Sequence, residues 1–425
     1  VSDVDPLVAS TGASEDRPAA EKASGSRHGT VYVVGIDAMT LDIIQPMVDS
    51  GELPAFASMM KKGAHGRVAT TRPNHSGLIW TTIASGVSHK VHGIDGERVF
   101  RVLGGRMSTF RVHQLNKLGL KAPLRLLQAL GLMKAHMYDS RDVKAPRIWE
   151  IISDAGGCAG VVNWPNSWPA GDLNGFVVSD RVQHWRREAA GYELAPADGL
   201  TFPPGLADEI CAVLLAPDDV CADDIKRYVD VPDEEVDEFL TGEFIKKDLR
   251  AELRYAIASD TSAWRSFRHC LERWPQVDLA ILHFWSLDKI QHAAYRFVPF
   301  IGHPDSKSPE SARLGGAVLE SYRFLDRAVG EILARMKPAD TLVVVSDHGF
   351  AWEEERGDYG HKRSEPPGVL LATGSRIRSG VRLDSATVYD MAPTILRLCG
   401  IEPPARMEGR CLDEIFAREE APQAG

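Results

Sequence analysis

The stretch from Thr341 to Phe350 reads TLVVVSDHGF. Leu342 to Val345 is an unbroken run of branched apolar residues, the pattern of a strand buried on both faces. The run stops at Ser346, Asp347, His348 and Gly349. In open α/β sheets ligands bind just beyond the carboxyl ends of the strands, so a carboxylate and an imidazole fall where a site is expected. Adjacent Asp and His suit a zinc-type ion, which accepts carboxylate oxygen and imidazole nitrogen. Taken alone, the same residues also read as a turn in which Asp347 caps the next element and His348 is solvated.

The other strand ends decide between these readings. Val31 to Ile36 is a second buried strand, and Asp37 follows it as Asp347 follows its own. Alone, Asp37 would serve as an N-cap for the helical pattern beginning at Leu41. His65 to Thr71 is a further strand, running into Arg72-Pro73-Asn74-His75-Ser76-Gly77 and the hydroxyl-rich LIWTTIASG. Ser76 thus stands at the mouth of a helix, whose unpaired N–H groups and partial positive charge favour an oxyanion. A plain capping serine would look the same. His92, in SHKVHGIDG, fits a structural or a supporting role equally.

Asp278 to Phe284 (DLAILHF) is the next core strand, leading into SLDKIQH. Asp288 and His292 are four apart, so on a helix they face one way and either share an ion or pair at the surface. His361 lies in a Gly-rich polar loop after SDHGF. Three Asp, three His and one hydroxyl are enough ligands for two divalent ions. Two metals about 3.5–4 Å apart can clamp the attacking and leaving oxygens of a phosphoryl centre.

The remaining chain bounds this reading. With 425 residues, 44% apolar and 25% charged, it has the make-up of an ordinary soluble globular protein with a large core. A formal charge of −10 and the lack of a long basic run argue against a nucleic-acid binder. No apolar stretch approaches the roughly 20 residues needed to span a bilayer. The six cysteines form no CxxC pair, which disfavours a zinc ribbon or a thioredoxin-like motif. Residues 1–29 read as a disordered leader. Such a segment often follows a cleaved signal or lipid anchor, favouring an exported or periplasmic location over a cytoplasmic one, although a plain flexible tail has the same composition.

The expected architecture is a three-layer αβα sandwich over residues 30–416, with 417–425 as a tail. Two insertions form a cap. Residues 97–141, dominated by Lys, Arg, Leu and Gly and helical in pattern from Leu115 to Met133, read as an insertion over the site rather than as sheet. Residues 182–249, acidic and poor in β-branched runs, read as a second, mostly helical insertion.

These segments together resemble the alkaline phosphatase superfamily, and within it the type I phosphodiesterase/nucleotide pyrophosphatase branch. The likeness covers nearly all of Thr30 to Leu412. It rests on VVGIDA, on HSGLIWTTIASG with HGI shortly after, on SLDKIQH, SDHGF and the GH before GVLLATG, and on YDMAPTILRLCGIEPPARMEGR. The resemblance implies that Asp288, His292 and His361 hold one zinc ion, and that Asp37, Asp347, His348 and Ser76 hold a second. It also selects Ser76 as nucleophile over Thr81 and Thr82, by its spacing to Trp80 and Gly86.

Three departures stand out. The family's phosphoryl-binding Asn beyond HGI is replaced by Asp95-Gly96-Glu97, leaving Asn74 or Asn163 as stand-ins. Gly77 stands where alkaline phosphatases carry an Arg that grips a monoester. No Cys-x-Pro-x-Arg occurs, which disfavours a sulfatase.

The implied reaction is hydrolysis of a small-molecule phosphodiester or related phosphoryl ester through a phosphoseryl intermediate. A phosphomonoesterase or phosphonate hydrolase is the alternative, and a metal-bound protein that binds a phosphorylated ligand without turnover is the non-enzyme one. A monoester dianion needs an extra cation, for which Arg72, Arg181 and Lys362 are the candidates. A diester's second substituent would find Trp164, Trp168 and Trp185.

Overall fold

The computed structural model describes residues 29–417, apart from 97, 103–104, 184–197, 243, 354–356 and 362–364. The leader and tail read from the sequence fall almost wholly outside the described residues, as do Trp185 and Lys362. In chain order the strands are β1 (Val31–Ile36), β2 (Ala64–Ala69), β3 (Arg98–Val102), β4 (Gly105–Ser108), β5 (Met133–Met137), β6 (Ala159–Val162), β7 (Gly175–Val178), β8 (Thr201–Phe202), β9 (Leu279–Phe284), β10 (Thr341–Val345), β11 (Ala351–Glu353), β12 (Asp358–Gly360), β13 (Gly368–Gly374) and β14 (Val381–Thr387).

Nine of them form one mixed sheet, in the order β14-β2-β13-β10-β1-β9-β6-β7-β8. Its centre is parallel, with Val33 of β1 opposite Val343 of β10 on one side and Ile281 of β9 on the other. β13 runs antiparallel to both β10 and β2, and β8 antiparallel to β7. Because β9 and β10 flank β1 on opposite sides, a crevice opens where these three strands end.

Successive residues of a strand point to opposite faces, so the continuous apolar runs feed two cores. Val34, Ile36, Leu282 and Val344 face one core, closed by helices Pro54–Lys62, Leu249–Arg273 and Gly316–Arg335. Val31, Val33, Ile281 and Val343 face the other, closed by helices Ser76–Ser85, Ile148–Asp154 and Met391–Leu398. This is the three-layer αβα sandwich. Near the end of β1, a Cβ on Gly35 would lie 2.8 Å from the Trp80 ring and 3.0 Å from the Trp164 ring, so the bare backbone makes room for both indoles.

The insertions depart from their expected form. Between residues 97 and 141 the chain makes helices Thr109–Lys117 and Lys121–Ala129, but also the three-stranded antiparallel sheet β4-β3-β5. Sheet was not expected here because Arg and Lys are interleaved with Val, Phe and Met, and each short strand has only one apolar face. In residues 182–249, helices Ala222–Tyr228 and Asp233–Thr241 send Ile225, Val236 and Phe239 into the first core. These helices therefore thicken a flanking layer. β14 was not anticipated either; it is an edge strand with a bulge between Leu383 and Ala386 that breaks its alternation. All six cysteines are free, and no helix among the described residues is long and apolar enough to cross a membrane.

Candidate active site

The ends of β1 and β10 are tied to each other and to the helix Ser286–Ala294. Ala38, just after Asp37, has φ of 63°, a left-handed conformation that costs a non-glycine residue about 1–2 kcal/mol. Its amide donates to Asp347 Oδ1 at 3.3 Å and its carbonyl accepts from Gln291 Nε2 at 2.8 Å. The Met39 amide donates to Ser346 Oγ at 2.9 Å, and that hydroxyl donates to the His348 carbonyl at 2.7 Å. Gln291 also accepts from the Tyr322 hydroxyl at 3.2 Å. The helix bearing Asp288 and His292 is thereby clamped to the turn bearing Asp37.

Within this frame all seven residues singled out in the sequence come together. His348 Nε2 lies 3.3 Å from Asp37 Oδ1 and 3.4 Å from Asp347 Oδ2. Asp288 Oδ1 lies 3.5 Å from both His292 Nε2 and His361 Nε2. The rings of His348 and His361 stack, with centroids 3.8 Å apart. Ser76 Oγ, at the start of its helix, is 3.4 Å from Asp37 Oδ1 and 3.5 Å from His348 Nε2.

Two buried groups of potential metal ligands result, Asp37–Asp347–His348 and Asp288–His348–His361, with His348 common to both. The Nδ1 atoms of His348 and His361 face the Gly349 carbonyl at 2.9 Å and Asn74 Oδ1 at 3.2 Å, which leaves each Nε2 to the site. Asp288 Oδ1 and Asp347 Oδ2 are buried without a hydrogen-bond donor, an arrangement that a cation would satisfy.

The electrostatics follow from this crowding. Burial, and then the charges of Asp347 and Asp288, push the Asp37 carboxyl well above the usual range. Burial pushes Asp347 up to about 8, against the pull of the Ala38 amide. Burial lowers His292 to about 4, favouring the neutral imidazole that ligates metals. Asp288 goes the other way: burial raises it, but Lys289 and then the surrounding histidines outweigh that and hold it well below its usual value. Lys289 Nζ sits 2.8 Å from Asp288 Oδ2 and is one-third exposed (34%). Lys289 was not singled out in the sequence; its position one residue from Asp288 was the available signal.

Several candidates are engaged elsewhere. Thr81 and Thr82 donate back to the Gly77 and Leu78 carbonyls of their own helix. His92 is fully buried, 3.1 Å from the Thr82 hydroxyl, and burial lowers its pKa to about 3, which makes it structural. Asn163 donates to the His283 carbonyl at 2.9 Å, and Asn74 donates to the His361 carbonyl at 2.8 Å. Asn166 also reaches the head of the Ser76 helix, donating to the Gly77 carbonyl at 3.0 Å and to Thr81 Oγ1 at 3.1 Å. Arg72 pairs with Glu365 and points outward. Arg181 stacks 3.9 Å over Trp168, and Trp164 is core.

The likeness to known proteins agrees with this geometry at two levels. The fold matches wild-type alkaline phosphatase PafA with a TM-score of 0.57 at 12% identity, covering 93% of this chain and 100% of that one. That places the architecture in the alkaline phosphatase class. A family model described as type I phosphodiesterase / nucleotide pyrophosphatase matches residues 31–363, and the chain belongs to this family of hydrolases. Among curated proteins it is similar to 2,3-bisphosphoglycerate-independent phosphoglycerate mutases, for example the following two. One, from Synechococcus sp. (strain JA-2-3B'a(2-13)), is 31% identical over 106 residues, 23% of this chain and 20% of that protein. The other, from Syntrophotalea carbinolica, is 31% identical over 143 residues, 32% and 23% respectively. The chain thus spans only about a fifth of the length of these relatives.

Proposed function

We propose that this protein hydrolyses phosphodiesters or related phosphoryl esters, with Ser76 as nucleophile beside two divalent cations. The observation that carries the reading is the Ser76 hydroxyl, held at a helix N-terminus within 3.5 Å of both Asp37 and His348. Asp288, His292 and His361 would hold one ion. Asp37, Asp347, His348 and Ser76 would hold the other, since the one free nitrogen of His348 lies nearest Asp37 and Asp347. Nitrogen and carboxylate ligands favour zinc. Ions bound there would supply positive charge to the phosphoryl oxygens and lower the pKa of a hydroxyl or water.

The chain's own groups perform the rest. Ser76 Oγ, its proton given up to solvent, bonds to phosphorus as the ester P–O bond opposite it breaks, and the departing oxygen takes a proton from water. Water then cleaves the phosphoserine and returns the hydroxyl. The amides of the helix's first turn face the developing charge on the non-bridging oxygens. A diester suits the site better than a monoester because Gly77 brings no charge, Arg72 and Arg181 are engaged, and Lys289 is already paired with Asp288.

Replacing Ser76 tests this reading. Ser76→Ala should lower turnover of an aryl phosphodiester by about a thousandfold or more with the fold intact, as losses of single nucleophiles do. Ser76→Thr should retain part of the activity. Near-normal turnover by the alanine variant would sink the assignment. A screen of phosphate mono- and diesters, phosphonates and a sulfate ester would fix the substrate class.

A further inference from the structure

We infer that the insertion between β3 and β5 docks this protein on an anionic membrane surface. Residues 98–137 contain eight Lys and Arg and no Asp or Glu, in a chain whose net charge is −10. The cations are spaced among leucines rather than run together, so they form no basic block in the sequence. Of the nine strongly exposed large apolar side chains among the described residues, five lie here: Leu118, Leu120, Leu126, Leu130 and Leu132, from 42% to 75% exposed.

The helix Lys121–Ala129 shows how these features combine. Leu124 and Leu127 turn inward and pack with Val112 and Met133 into a small core of the insertion's own. Ala122, Leu126 and Ala129, at i, i+4 and i+7 with Leu130 beside them, form an exposed apolar stripe. Exposed Lys121 and Arg125 flank that stripe, and exposed Arg111, Lys117 and Lys134 lie on neighbouring segments. An apolar stripe bordered by cations is the pattern of an element that lies in the headgroup region, its leucines in the acyl boundary and its cations on acidic lipids.

Charge disfavours a symmetric pairing of two copies through this patch, because two such patches face to face would oppose like charges. The insertion is rooted beside the site: the Tyr138 hydroxyl donates to Asp95 Oδ1 at 2.5 Å, and the Gly96 carbonyl lies 4.0 Å from where a Gly77 Cβ would be. The inference does not depend on the hydrolytic reading.

Vesicle flotation tests it, with phosphatidylcholine alone or mixed with phosphatidylglycerol. The full chain should float with the mixed vesicles, much less with phosphatidylcholine alone, and be released by added salt. Leu126→Ser/Leu130→Ser and Lys121→Glu/Arg125→Glu should each weaken flotation about tenfold or more while melting as the parent does. Failure of the parent to float, or variants that float equally well, would overturn the inference. So would a leucine variant that converts a dimer to a monomer by light scattering without any vesicle binding by the parent, since the patch would then be a self-association surface.

Discussion

Asn74 grips His361 at both ends of its amide: Nδ2 donates to the His361 carbonyl at 2.8 Å, and Oδ1 faces the ring Nδ1 at 3.2 Å. Asn74 lies two residues before Ser76, so the segment that presents the hydroxyl also sets the tautomer and aim of an imidazole facing Asp288. Partners of this kind typically contribute 10–100-fold to metal affinity or activity. Asn74→Ala should weaken zinc binding by about that factor. Asn74→Asp, which keeps the acceptor for Nδ1, should lose less. Titration of chelated protein with zinc would measure both, and unchanged affinity in the alanine variant would remove Asn74 from the site.

Asp37, Asp347, His348, Asp288 and His292 were legible because they follow a β-branched run or sit at helical spacing, whereas Ser76 as nucleophile and His361 as ligand came from the family resemblance. Asp37 and Asp347 close strands buried on both faces, and Asp288 and His292 share a helix face. What was not legible depends on contacts between distant segments. Asn74 and Asn163 were both read as oxyanion donors, yet His361 and the His283 carbonyl occupy them. Trp164 was read as a wall for substrate, but Gly35 opens a niche that draws it into the core. The sheet in the basic insertion was hidden by its one-sided strands.

Metal loading should release protons. Burial pushes Asp347 up to about 8 and raises Asp37 as well, so without cations Asp347 retains its proton near neutrality. Ligation needs the carboxylates ionised. Calorimetric titration with zinc near neutral pH, in two buffers of different ionisation enthalpy, should report proton release and two ions per chain. Affinity should rise with pH up to about 8. Zinc binding with no proton release would contradict the predicted state of Asp347.

Glu252, outside the candidate ligand set, should make stability pH-dependent. It is 2% exposed, its Oε1 accepts the Lys247 amide at 2.7 Å, and its Oε2 has no donor. Burial pushes it up to about 7. A folded-state pKa above the unfolded one means the stabilisation is complete below the unfolded value, about 4.3, and is lost as pH rises toward 7. Glu252→Gln keeps the neutral form at all pH. Its advantage in urea unfolding over the parent should therefore grow by about 2 kcal/mol between about pH 5 and about pH 8. Because both proteins share every other titrating group, a constant difference would show that Glu252 ionises normally.

Lys289 should set what monoesterase activity the protein has. Its ammonium is 2.8 Å from Asp288 Oδ2, and the side chain remains 34% exposed while paired. A monoester dianion brings one more negative charge to the site than a diester, and a nearby cation stabilises that difference directly. Lys289→Met should then lower kcat/KM for an aryl phosphomonoester about tenfold more than for the matching diester, roughly 1.4 kcal/mol of transition-state binding. Lys289→Arg should restore much of the monoester rate, because it keeps the charge. Metal content of each variant, measured alongside, separates this role from simple support of Asp288. Equal losses on both esters with reduced metal content would make Lys289 a positioning residue for Asp288 and nothing more. A parent enzyme that prefers the monoester by tenfold would overturn the diester assignment itself and leave the family membership untouched.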